Sequence, residues 1–267
     1  MDAPVSVVIP CYNGKNVIER AIQSVYVQTW RPAELIVVDD GSEIETVEFL
    51  RELKKRYGDW MRLIELNKNS GGPSTPRNVG WSNATQPYIA LLDQDDAWHQ
   101  MKVEIQLKFM IEHPEFSITA HKISVVEDNQ HPMLNLDISK GFKFKRINWR
   151  EFLFRNLLPT SSVMFKRDLP FRFDERFKFC DDYHLWLRAI LSGNEISIID
   201  LPLGFWFRPF FSPGGQSSKL WTMEKEEIRV YLDLVRKKYI KKHYAPFIVS
   251  FSLVKFLRRV IISLKWK

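Results

Sequence analysis

Short apolar runs alternate with helix-spaced stripes through the first 115 residues. "VSVVIP" (5–10) is β-branched, free of charge and ended by Pro10, and it reads as a buried strand. Val17, Ile18, Ala21, Ile22 and Val25 then recur at the spacing of one helix face, as far as about Gln28. The same cycle returns three times. Leu35 to Val38 is a second strand, followed by a helix over 44–57. "MRLIEL" is a third strand, with helical spacing over 77–84. Residues 88–92 form a fourth strand, followed by a helix over 100–112. Unbroken apolar strands in this alternation predict an α/β/α sandwich around a mainly parallel sheet. Ligands of such folds bind beyond the carboxyl ends of the strands, which places any chemistry just after Pro10, Val38 and Leu92. Beyond about residue 116 the alternation loosens, and the clearest later elements are helices over 181–192 and 219–242.

The pattern changes again at the tail. From Leu234 to Lys267 there is no Asp or Glu but there are ten Lys or Arg; against a total charge of +7, residues 1–233 therefore carry −3. A nucleic-acid groove belongs on a folded body, so no nucleic-acid partner is expected. On a helix over 246–267, Ser252, Lys255, Arg259, Ser263 and Lys267 form a polar stripe with Arg258 at its edge, and apolar residues cover much of the remainder. The interior charges exclude a spanning helix. Two placements remain open: in the plane of an anionic membrane surface, beside the cluster Arg236, Lys237, Lys238, Lys241 and Lys242, or packed on the protein's own core. The N-terminus lacks the features of a secretory signal, and no run of apolar residues is long enough to span a bilayer. Two cysteines, Cys11 and Cys180, make no disulfide framework and fit a reducing compartment. The expectation is a cytoplasmic protein, with peripheral contact at the inner face of the membrane if the tail binds lipid.

Candidate chemistry gathers at the strand ends. "DDGS" (39–42) follows the second strand. Gly41 permits a tight turn, and Asp39 or Asp40 faces the crevice, where a carboxylate accepts from a ribose hydroxyl or a base N–H. The plain alternative is a turn with Ser42 capping the next helix. No GxGxxG follows the first strand, which weakens a dinucleotide reading. After the fourth strand, Asp93, Asp95 and Asp96 arrive together and repel one another. On an extended backbone Asp93 and Asp95 face one partner, with Gln94 turned aside, and such oxygen donors suit Mg²⁺ or Mn²⁺ combined with phosphates. Alternatively Asp96 caps a helix beginning near Trp98. "GGPSTPRNVG" (71–80) lacks a P-loop ending but can approach a phosphate closely, with Arg77 to neutralise it; an ordinary loop with Pro76 at the helix start is the alternative. Asp181 and Asp182 open the helix that buries Leu185, Trp186, Ala189 and Ile190. They are either first-turn acids favoured by the helix dipole or the source of a general base. The six histidines show no close ligand spacing. Most of the nine tryptophans belong to the core, while Trp98 and Trp186 adjoin acids and are candidates to stack on a sugar.

Taken in order, "VSVVIPCYN" (5–13), "IVVDDGS" (36–42), "GGPSTPRNVG", "LLDQDD" (91–96) and "CDDYHLWLR" (180–188) resemble the motifs of family 2 glycosyltransferases of the GT-A fold. The resemblance spans about 185 residues and implies inverting transfer from a nucleotide-diphospho-sugar, most readily a UDP-sugar, with Mn²⁺ or Mg²⁺. It implies that Pro10, Tyr12 and Asp40 contact the nucleoside, that Arg77 lies near the donor phosphates, that Asp93 binds the ribose or donor sugar, and that Asp95 is the direct metal ligand. Asp182 falls at the family's catalytic base; Asp181 replaces the family's usual Glu, and His184 a later Asp. "FWFRPFFSPGGQSS" (205–218) resembles the family's mobile Arg-His loop, with Arg208 matching the arginine and no histidine soon after it. The implied acceptor is a glycan or lipid-linked hydroxyl in surface polysaccharide synthesis. The expected division is a nucleotide-sugar half (1–115), an acceptor and catalytic half (116–218), and a helical basic tail (219–267). A sugar-phosphate nucleotidyltransferase and a non-catalytic sugar-binding protein are the rivals; the first wants a basic glycine-rich loop directly after the first strand, where only Gly14 and Lys15 stand.

Overall fold

The first four strands run in parallel, the three inner ones largely apolar and buried on both faces. In the computed structural model, which describes residues 2–126, 136, 141–207 and 220–265, these are β1 (Ala3–Cys11), β2 (Pro32–Asp39), β3 (Met61–Glu65) and β4 (Tyr88–Leu91). The helices between them are α1 (Ile18–Tyr26), α2 (Ile44–Tyr57) and α3 (Ser74–Asn83). Val7, Ile9, Leu35 and Val37 pack with Ile18, Ile22 and Val25 on one side of the sheet, while Val8, Ile36 and Val38 pack with Trp81 and Trp186 on the other. That two-residue alternation with both sides buried is what removes the polar face. α3 lies close on β1: a Cβ on Gly80 would come within 2.3 Å of Val8.

With β5 (Asp96–Trp98), β6 (Phe116–Val125), β7 (Phe144–Arg146), β8 (Met164–Lys166) and β9 (Glu195–Trp206), the sheet has nine strands among the described residues, in the order β3-β2-β1-β4-β8-β6-β9-β5, with β7 also on β9. Past β4, β8 runs antiparallel between β4 and β6. β9 is parallel to β6, and β5 and β7 run antiparallel to it. The later helices are α4 (Lys102–Glu112), α5 (Trp149–Phe154), α6 (Asp181–Leu191), α7 (Leu220–Arg236) and α8 (Ala245–Lys265).

Three local expectations are corrected. Residues 96–98 pair with the end of β9, so Asp96 starts a strand and caps no helix; α4 begins only at Lys102. Trp98 and Trp186 are both buried, and the Trp98 indole N–H donates to the Ser161 carbonyl at 2.7 Å, so neither ring offers a face to a sugar. Ser42 does not cap α2, whose N-cap is Glu43; its hydroxyl instead accepts from the Asn13 N–H at 2.9 Å.

The tail helix turns Ser252, Lys255 and Arg259 of its polar stripe inward, while Lys267 and the side chain of Ser263 lie outside the described residues. Lys255 pairs with Glu227, Arg259 pairs with Glu224 at 2.5 Å, and the Ser252 hydroxyl donates to Glu224 at 2.7 Å. α7 thus supplies the acids that the tail lacks, as the packed placement expected. Among the described residues, no helix is long and apolar enough to cross a membrane.

Candidate active site

The loops after β1, β2 and β4 are tied to one another at the carboxyl edge of the parallel strands. The Asp40 N–H donates to the Cys11 carbonyl at 2.7 Å, and the Glu43 N–H donates to the Asn13 side chain at 2.9 Å. Gln94 closes the set: its carbonyl accepts from the Tyr12 N–H at 2.9 Å and its amide donates to the Tyr12 carbonyl at 3.2 Å. Gln94 is therefore turned from its acidic neighbours toward the first loop, where it acts as a brace. Pro10 is buried in β1, while the Tyr12 ring stands exposed at the mouth.

Gly41 makes the second loop possible. Its φ is +68°, and a Cβ there would come within 2.4 Å of the Lys68 backbone. Gly41→Ala combines left-handed strain with that clash, and the expected loss is at least about 1–3 kcal/mol. An unchanged melting temperature would contradict this account of the turn. The turn buries both neighbouring acids. Asp40 accepts from the Ser70 N–H at 3.1 Å, the Ser70 hydroxyl at 2.9 Å and the Asn69 amide at 3.1 Å. Burial raises its pKa above the ordinary carboxylate value despite these bonds. Asp39 takes the Ser42 N–H on one oxygen at 3.1 Å, and its buried Oδ1 has no partner among the described residues. Lys178 donates to the Ser70 carbonyl at 2.7 Å and lies along Gly72, fixing the glycine-rich loop from the opposite wall.

The acids after β4 lie in a tight turn, with the Asp96 N–H donating to the Asp93 carbonyl at 3.2 Å, and not on an extended segment. The three carboxyls have different surroundings. Asp93 takes Arg77 at 2.7 Å on one oxygen and the Ser161 hydroxyl at 3.2 Å on the other. Asp96 is buried against Ser161, and burial together with repulsion from Asp93 and Asp95 pushes its pKa well up, toward the neutral acid. Asp95 is half-buried, and the Arg20 guanidinium holds its backbone carbonyl at 2.9 Å while stacking 3.4 Å from the Phe207 ring. Asp93 and Asp95 are thus the two acids of the turn that keep some exposure, an oxygen-only donor set that fits a hard divalent cation.

Arg77 occupies a place that the sequence reading did not foresee. It is buried, with one guanidinium nitrogen on Asp93 and the other on Asp181 at 3.0 Å. Burial opposes its charge, but Asp93 and Asp181 outweigh burial and raise its pKa. Both terminal nitrogens face carboxylates, so Arg77 bridges the β4 turn to the start of α6. The Ser74 hydroxyl adds a bond to Asp181 at 3.0 Å.

Asp181 is therefore committed to Arg77, and its neighbour is differently held. Asp182 accepts from Asn156 at 3.0 Å, from the Thr160 hydroxyl at 3.2 Å and from the Tyr183 N–H at 2.6 Å. Burial, then repulsion from Asp181, lifts its pKa to about 6. His184 is buried away from this centre, hydrogen-bonded to Asp233 at 2.9 Å, and burial lowers its pKa to about 4. With Asp174 it forms a ligand-like triad, but Arg176 and Lys237 already neutralise the two acids. Arg208 lies outside the described residues.

Gln94, Arg20, Ser161, Asn156, Thr160 and Lys178 escaped sequence reasoning. Gln94 stands inside a quoted motif, but nothing in its spacing reveals its turn toward Tyr12. Ser161, Asn156 and Thr160 come from the stretch where the strand–helix rhythm is lost.

Comparison with known proteins shows the family and the fold. The chain is 30% identical over 200 residues to the Escherichia coli UDP-Glc:alpha-D-GlcNAc-diphosphoundecaprenol beta-1,3-glucosyltransferase WfgD, covering 74% of each chain. It is 34% identical over 203 residues to an uncharacterised glycosyltransferase of Rickettsia felis, 76% of this chain and 32% of that protein. The chain thus spans about a third of the Rickettsia relative's length. Among solved structures, S. aureus TarS 1-349 in complex with UDP-GlcNAc superposes with a TM-score of 0.70 at 22% identity, over 97% of this chain and 72% of that one, which establishes the shared fold. Residues 6–170 match the model of glycosyl transferase family 2, well over half of the sequence, and the chain belongs to that family.

Proposed function

We propose that this chain is an inverting glycosyltransferase that moves a sugar from a nucleotide-diphospho-sugar, most readily a UDP-sugar, to a hydroxyl of a glycan or lipid-linked acceptor in surface polysaccharide synthesis. The observation that carries the reading is Asp182. A carboxylate with a pKa of about 6 stands at the start of α6, joined through Asp181 and Arg77 to the acidic turn that follows β4.

The residues take the following parts. Tyr12 stacks its exposed ring on the base. Asp40, with the unpartnered oxygen of Asp39 beside it, accepts from base or ribose donors. Pro10 shapes the strand end beneath them. Asp93 receives the ribose or donor sugar, and Asp95 with Asp93 would hold Mn²⁺ or Mg²⁺. When bound, that ion offsets charge on the departing diphosphate. Arg77 keeps Asp93 and α6 at a fixed separation. Asp182 takes the acceptor's hydroxyl proton on a carboxylate oxygen as the acceptor oxygen bonds to the anomeric carbon. The bond from that carbon to the phosphate oxygen breaks on the opposite side, the pair of electrons leaves with the nucleoside diphosphate, and the configuration inverts. A base opposite the leaving group follows the same logic in inverting glycosidases.

A UDP-sugar donor and a lipid-linked acceptor draw support from the relatives: WfgD is named for UDP-Glc and a diphosphoundecaprenol acceptor, and a TarS structure holds UDP-GlcNAc. Asp95→Ala tests the metal assignment. Calorimetry with UDP-sugar and Mn²⁺ is expected to lose the metal-dependent part of donor affinity, because the cation loses a carboxylate. Unchanged metal-dependent affinity in a folded variant would overturn it.

A further inference from the structure

α8 is amphipathic the wrong way round for a helix lying on a soluble protein. Its buried face carries charge: Lys255 and Arg259 turn inward to Glu227 and Glu224, with Ser252 and Ile248 beside them. Its outward face is apolar. Phe247, Val254, Leu257 and Ile261 are 61%, 63%, 60% and 57% exposed, and Phe251 and Leu253 flank them. These positions recur at three- and four-residue steps on one face, which they share with exposed Ser250 and Arg258, so they form a stripe and not scattered exposure. Trp221 of α7, also exposed, packs 5.3 Å from Phe256 at the border of the stripe. An apolar strip of this length is uncommon on a monomeric soluble surface.

The charges around the stripe choose the occupant. Lys238, Lys241 and Lys242 are exposed just before α8, and Arg258 is exposed within its outward arc. No acid stands in the sequence after Asp233, and the buried Glu224 and Glu227 are matched by Lys255 and Arg259. The exposed surface here is therefore largely apolar, with positive charge around it and, at Arg258, within it, which complements an anionic lipid surface. We infer that the outward face of α8 docks in the interfacial layer of an anionic bilayer, with Phe247, Val254, Leu257 and Ile261 inserted and the lysines on the headgroups. The docked helix touches the catalytic half directly. The Lys255 ammonium donates to the Phe154 carbonyl at 3.0 Å, two residues before the Asn156 that holds Asp182. Given the proposed transfer to a lipid-linked acceptor, docking sets Asp182 near the bilayer; the docking itself stands without that reading.

Flotation with phosphatidylglycerol-containing and pure phosphatidylcholine vesicles tests this on the whole chain. The wild type is expected to float with the anionic vesicles only. Val254→Glu/Leu257→Glu should weaken binding at least about tenfold, and Lys241→Ala/Lys242→Ala about tenfold or more at low salt. All four positions are exposed, so melting temperatures should match the wild type; Val254→Ser/Leu257→Ser serves if the glutamates perturb the fold. Equal flotation of wild type and the apolar variants would overturn the proposal. So would absence of flotation by the wild type, including the case where light scattering finds a self-association that the variants abolish, which would make the face an interface between copies. Nucleoside diphosphate release from soluble donor is expected to be unchanged in these variants, which separates failure of docking from failure of the transfer assignment.

Discussion

Asp182→Asn is expected to slow transfer by about 10²–10⁴-fold while leaving donor affinity unchanged. The amide oxygen can still accept from Asn156 and Thr160 while the Tyr183 N–H loses its acceptor, and the amide takes no proton from the acceptor. The pH dependence follows from the same group. Its pKa is raised to about 6, so below that pH the carboxyl already holds a proton and the rate rises with pH through about 6. The stability consequence has the opposite sign. A carboxyl whose pKa is raised on folding contributes most below its unfolded value, and that contribution is lost as pH rises through about 6. Asp182→Asn removes this loss, so the melting temperature of the variant should fall less than that of the wild type as pH rises through about 6. Stopped-time assays across pH and thermal melts of both proteins check the two signs. Near-normal turnover would move the base elsewhere, and Asp181, bound by Arg77 and Ser74, would have to release those partners to replace it.

Arg77→Met carries the second large effect, and it falls on stability first. The change keeps an unbranched stem but removes the cation shared by Asp93 and the buried Asp181. Breaking one partner of a buried ion pair costs about 3–5 kcal/mol, because the carboxylates left behind are uncompensated. The deficit should shrink as pH falls, since the abandoned acids can then protonate. Asp181→Asn combined with Arg77→Met should restore part of the loss. Denaturant titrations of the single and double variants measure this coupling. An Arg77→Met protein of wild-type stability with weakened donor binding would instead return Arg77 to the phosphates.

The fold was legible where apolar periodicity is strong. The rhythm of strands and helices up to residue 112 placed β1 to β4 and the helices between them, because strands buried on both faces leave an unbroken apolar run. It was illegible where three-residue strands depend on distant partners. β5 and β8 have no period of their own and are defined by β9, β4 and β6. That is why 96–98 read as the approach to a helix. In the site, the acidic positions were visible as sequence, but their partners were not. Arg77 has an anion-binding residue type, and only the fold reveals that carboxylates of its own chain take that role. The tail's polar stripe was equally plain in sequence, while its inward direction depends on Glu224 and Glu227, some thirty residues upstream.

The central claim is most directly tested by incubating the chain with a panel of nucleotide sugars, Mn²⁺ and a glycan-lipid acceptor, and identifying the released product. The account predicts nucleoside diphosphate together with a glycoside of inverted anomeric configuration, both lost in Asp182→Asn. Release of pyrophosphate, retention of configuration, or the same turnover in Asp182→Asn would contradict it.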